Sequence, residues 1–136
     1  MKKLFQNGTI ILSTLVFMSF MLFSFTPSDQ KPWNVPATYK SKKNPVKNDA
    51  ASQNVGKALY AKHCKSCHGA KGLGDGPKAA SLKTKIRSFA SKEYKAQTPG
   101  EKYYESFVGR DEMPNFEKKI LDENDRWSLI NYMDTF

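Results

Sequence analysis

Cysteine is scarce in this chain of 136 residues, which holds only Cys64 and Cys67. So small a number excludes a scaffold stapled by several disulfides. Histidine is as scarce, with only His63 and His68. A structural zinc site needs four ligands, so it would have to use all four of these groups, with His63 badly placed. A disulfide between cysteines three positions apart would restrict little of the unfolded chain, so stability alone does not account for the pair. No stretch shows the apolar–polar alternation of a strand, and no internal repeat is present. A thioredoxin-like redox site, which needs a strand ahead of its motif helix, is disfavoured for the same reason. The fold expected is all-α.

Residues 1–26 stand apart. Lys2 and Lys3 form a basic start, and residues 9–25 are an almost unbroken apolar run of 17. That pattern is an export signal, and its length is at the short end of what spans a bilayer. No small-residue cleavage site is evident, because Leu22, Phe23 and Phe25 crowd its place. Residues 1–26 are therefore expected as a signal peptide or a membrane anchor, with the rest on the periplasmic side of the cytoplasmic membrane, anchored or soluble. Beyond them lie 20 basic and 13 acidic residues. This excess favours acidic partners or an anionic membrane surface. Nucleic acid is not expected of an exported chain with no aromatic-basic face.

Residues 27–51 read as a linker, with Pro27, Pro32, Pro36 and Pro45, a basic cluster at 40–43, and Trp33 and Val35 as its clear anchors. Prolines so spaced favour extended chain. A domain is expected over 52–136. Ser52 is placed to cap a helix whose apolar face includes Val55, Leu59 and His63. A glycine-rich loop over 69–76 follows. Thr98-Pro99-Gly100-Glu101 is a capping box with proline at the first helical position, and its helix should end near Gly109. Asp122 should cap a last helix over 123–136, with Trp127, Ile130 and Met133 on one face.

The first helix runs into His63-Cys64-Lys65-Ser66-Cys67-His68, which contains C-x-x-C-H, the attachment signature for c-type haem. Two thiols one helical turn apart suit the two vinyl groups of one porphyrin, and the next residue then lies under the iron. One covalent haem c with its iron is thus expected on Cys64 and Cys67, with His68 as an axial ligand. The sixth ligand follows by elimination. His63 directly precedes Cys64 and would have to reach around the porphyrin edge, and Met133 sits mid-helix as core. Met113, in a loop stiffened by Pro114, remains, and His/Met ligation raises the reduction potential.

Residues 56–69, from Gly56 through the haem motif to Gly69, resemble the first helix and haem-binding motif of class I c-type cytochromes. Met113-Pro114-Asn115-Phe116 resembles that family's methionine loop, and Leu129-Ile130-Asn131-Tyr132-Met133 its C-terminal helix. The resemblance covers about 52–136. It implies that Gly56 and Tyr60 pack against the last helix near Tyr132. It also implies that the Pro77 carbonyl accepts a hydrogen bond from the ligand histidine, fixing its ring. The segment with Trp33-Asn34-Val35-Pro36 is similar to the lead-in of some small bacterial cytochromes that work with larger respiratory complexes.

The function expected is one-electron transfer in an exported respiratory chain, not enzyme catalysis. A haem-dependent enzyme such as a peroxidase, or a gas sensor, is the alternative, and it needs an open or displaceable sixth ligand. Between Gly76 and Lys92 lie Lys78, Lys83, Lys85 and Arg87 with no acid, while Lys62, Lys65 and Lys71 flank the haem motif. These basic residues form either a docking surface for an acidic redox partner or a solvated face.

Overall fold

A computed structural model describes residues 31–136. The export segment expected over 1–26 lies outside the described residues, as do residues 27–30. Among the described residues the chain is helical, with no strand and one isolated bridge between Arg110 and Met113. No helix among them is long and apolar enough to cross a membrane.

Among the described residues six α-helices follow in order: α1 (Ala37–Lys40), α2 (Ala50–His63), α3 (Lys65–His68), α4 (Lys92–Lys95), α5 (Pro99–Phe107) and α6 (Glu123–Met133). Their starts follow from short polar side chains that satisfy the first unpaired N–H groups. Asp49, not Ser52, caps α2. Its carboxylate accepts from the Ser52 N–H at 3.1 Å, and the Ser52 hydroxyl accepts from the Asp49 N–H at 3.2 Å. Ser52 is therefore the third helical residue, the inner partner of a capping box that Asp49 opens. Thr98 and Glu101 form the expected box on α5, with Pro99 at the first position. Asp122 caps α6, which ends at Met133 rather than at the C-terminus.

The buried stripe of α2 is Ser52, Gly56 and Tyr60. Val55, expected on that face, is 41% exposed. Glycine at position 56 lets α2 lie directly on α6: a Cβ there would stand 2.2 Å from the Ser128 carbonyl oxygen and 2.7 Å from Tyr132 Cβ. One turn on, the Tyr60 ring meets Tyr132 at 5.5 Å between centroids. Helix α6 is the central element, buried at Trp127, Leu129, Ile130 and Met133. Its polar Asn131 is buried too, and is fully engaged. It donates to the Val46 and Lys47 carbonyls and the Ser52 hydroxyl, and accepts from Asn44 Nδ2 at 2.8 Å.

Those contacts revise the linker reading. From Pro32 onward the segment packs on the domain as a strap. Val35 is buried, Tyr39 packs against Tyr103 at a tilt and against Tyr104 edge-on, and Lys40 accepts at its carbonyl from the Thr98 hydroxyl. The prolines confine helix to the single turn of α1. They do not keep the segment off the surface, because aromatic and amide side chains between them find partners far away in sequence.

Candidate functional site

Cys64 closes α2: its N–H donates to the Tyr60 carbonyl at 2.9 Å. The single turn of α3 then carries Cys67 and His68, held by N–H bonds from both to the Cys64 carbonyl. The loop after it folds back over the motif. N–H groups of Gly74, Gly76 and Lys78 donate to the carbonyls of His68, Cys67 and Ser66 at 2.9–3.0 Å. The buried Tyr60 hydroxyl donates to the Gly69 carbonyl at 2.7 Å. The motif backbone is thereby held by the protein's own hydrogen bonds.

Met113 arrives from the opposite end of the chain. After α5, Gly109 takes φ +71° in a turn so tight that a Cβ would meet the Met113 carbonyl oxygen at 2.3 Å. Met113 N–H donates to the Arg110 carbonyl at 2.8 Å, and Phe116 N–H to the Phe107 carbonyl at 2.9 Å. Glu112 ties the loop sideways by accepting from the Lys83 and Thr84 N–H groups at 3.0 and 2.9 Å. Those bonds hold its carboxyl below the usual range.

Cys64, Cys67, His68 and Met113 all line one cavity of about 650 Å³. Its inner wall is apolar, with Phe89, Phe107, Phe116 and Leu129. Such a volume and lining are typical of a site for a sizeable organic cofactor. The two thiols are free. Burial, and then the neighbouring Cys67, push the Cys64 thiol up to about 12, so it is held as the neutral thiol. Burial lowers His68 to about 4, leaving a neutral imidazole with a lone pair to offer a metal. Two thiols, a neutral imidazole and a thioether on one apolar cavity fit the donor set that a covalent haem requires. No cluster of three or more His, Cys, Asp or Glu side chains suited to a metal occurs among the described residues.

Pro77 departs from expectation. His68 Nδ1 is buried with no hydrogen-bond partner, and Pro77 does not line the cavity. The imidazole lies against Phe89, with centroids 4.7 Å apart and planes at 15°, a ring contact that leaves Nδ1 unpartnered.

Several lining residues carried no signal at the level of motif. Met133, read as core, is 3% exposed and lines the cavity as well. His63 also lines it, edge-on to Phe116. Glu105 contributes a carboxyl raised by burial, which accepts from Gln97 Nε2 at 2.6 Å. Lys31 and Trp33 bring the strap to the cavity. Cations dominate its rim: Lys31, Lys62, Lys78, Lys85, Arg87, Arg110 and Lys119 against Glu105, Asp111 and Glu112.

A family model described as cytochrome c matches residues 53–136. That stretch runs from the first turn of α2 to the C-terminus and takes in the C-x-x-C-H motif and the Met113 loop. None of the curated proteins matches the chain.

Proposed function

This chain belongs to the cytochrome c family, and from that premise we propose a one-electron carrier of an exported respiratory chain, with His68 and Met113 as axial ligands. Membership brings a covalently bound haem c and haem-based electron transfer. When bound, the haem supplies an iron that changes by one electron, and the protein supplies attachment, ligands and surroundings. In this reading Cys64 and Cys67 hold the porphyrin through thioethers. His68 would offer the iron a ring nitrogen and Met113 its sulfur. Phe89, Phe107 and Leu129 keep water from the site, which favours the less charged ferrous state.

The observation that carries the reading is the convergence of both thiols, His68 and Met113 on one apolar cavity. The cationic rim supports a docking role: Lys62, Lys78 and Lys119 steer an acidic redox partner, a soluble protein or a larger respiratory complex, toward the haem edge. Residues 1–26 act as a signal peptide or anchor for work on the periplasmic side of the membrane. A peroxidase or gas sensor is the rival, and it requires that the sixth position open readily.

An equilibrium redox titration of the haem-loaded protein, paired with a peroxide turnover assay, tests the proposal. A single reversible one-electron wave without sustained peroxide consumption is expected. Sustained turnover would move the protein to the enzyme class.

A further inference from the structure

One side chain joins the strap to the methionine loop. Arg110 stands three residues before Met113. Its guanidinium donates to the Pro32 carbonyl at 2.8 Å and to the Lys31 carbonyl. The same group lies over the Trp33 ring, 4.1 Å from its centroid. Trp33 in turn meets Tyr104 of α5 edge-on at 6.3 Å, and Tyr104 packs on Tyr39 of α1 at 4.8 Å. On its backbone side Arg110 accepts the Met113 N–H. Between them Asp111 sits at φ +50°, a conformation that costs a residue with a Cβ and persists only where the surroundings hold it. The strap thus grips the residue whose carbonyl orients Met113, and Lys31 and Trp33 line the cavity beside it.

We propose that the Trp33–Arg110 clamp is a positioning device that keeps the Met113 loop closed over the haem, so that the strap sets how readily an outside ligand displaces Met113. The proposal rests on Met113 as the sixth ligand. A loop held by few contacts opens on its own while the rest of the domain stays folded. Charge-assisted bonds to two carbonyls and a cation–π contact are the kind of local restraint that limits such opening. The loop's other ties, Glu112 to residues 83–84 and Phe116 to Phe107, remain when the clamp is cut, so the domain keeps its fold and only the opening changes.

The test is imidazole binding to the ferric, haem-loaded, full-length protein, followed by stopped flow, alongside the far-red sulfur-to-iron band. Trp33→Ala and Arg110→Lys should each speed binding about tenfold, the equivalent of one clamp-sized contact in the opening equilibrium. The sulfur-to-iron band should persist in both variants without imidazole, and the global denaturation midpoint should move little. Trp33→Phe, which keeps a ring under the guanidinium, should restore most of the wild-type rate. A wild-type band with unchanged binding rates in Trp33→Ala and Arg110→Lys overturns the clamp alone. A wild-type protein without the band overturns the Met113 assignment and the clamp with it.

Discussion

Gly56 of α2 and Ser128 of α6 meet backbone to backbone: a methyl group on Gly56 would stand 2.2 Å from the Ser128 carbonyl oxygen. That contact crosses the helix that leads into the haem motif against the central helix. Neither neighbour is a flexible side chain tip, so no local adjustment makes room. Gly56→Ala gains helix propensity of about 1 kcal/mol but forces the helices apart. We expect a net loss of about 1–3 kcal/mol, read as a lower denaturant midpoint in the haem-loaded protein.

The position of this contact explains what was and was not legible in the sequence. C-x-x-C-H and the Thr98–Glu101 capping box are local devices, complete within a few residues, and the capping box stands where the sequence placed it. The face of α2 was misplaced by one position because its centre is a glycine, which hydrophobic periodicity cannot register. Val55 beside it is exposed while Ser52 is buried. The cap moved from Ser52 to Asp49 because both residues serve one box, and spacing alone does not say which is outside the helix. The strap was read as linker since its partners, Asn131 and Arg110, lie about eighty residues away. The Pro77 bond, implied by family resemblance and not by any local chemistry, is not formed.

Lys102 and Asp134 tie α5 to the end of α6 through a pair at 2.7 Å, with the lysine side chain only 8% exposed and the aspartate 33%. Its ammonium also lies 4.8 Å from the Tyr94 ring centroid. Asp134→Ala strands a nearly buried charge and should cost about 2–3 kcal/mol, below the full buried-pair range because Asp134 is partly wet. Lys102→Met removes that charge while keeping the stem, and should cost less. Chemical denaturation of the two variants checks the order.

Glu105 gives stability a pH dependence of stated sign. Burial raises its carboxyl, only partly offset by the Gln97 hydrogen bond and by Arg87 and Arg110. A carboxyl raised in the folded state stabilises fully below its unfolded value of about 4.3, and that contribution is lost as pH rises through the folded value. Glu105→Gln keeps an acceptor for Gln97 and removes the buried charge. The variant should therefore gain stability relative to wild type at pH 7 and lose that advantage near pH 4, as followed by denaturation across pH.

The cationic rim predicts a kinetic signature with acidic partners. Electron transfer to an acidic redox protein should slow as ionic strength rises, since exposed charges are screened beyond about 8 Å at 0.15 M salt. Charge reversal at Lys62, Lys78 and Lys119 should lower the low-salt association rate and flatten its salt dependence, with the rate at high salt nearly unchanged. Stopped-flow kinetics over a salt series measures both.

The central claim, a His68/Met113-ligated electron carrier, is tested most directly by the ferric optical spectrum of the haem-loaded protein, with Met113→Ala and Met133→Leu beside it. The account predicts a low-spin spectrum with the weak far-red sulfur-to-iron band in wild type and in Met133→Leu. Met113→Ala should lose the band while the haem stays covalently attached. A high-spin wild type without the band, or a band that survives Met113→Ala, would contradict it.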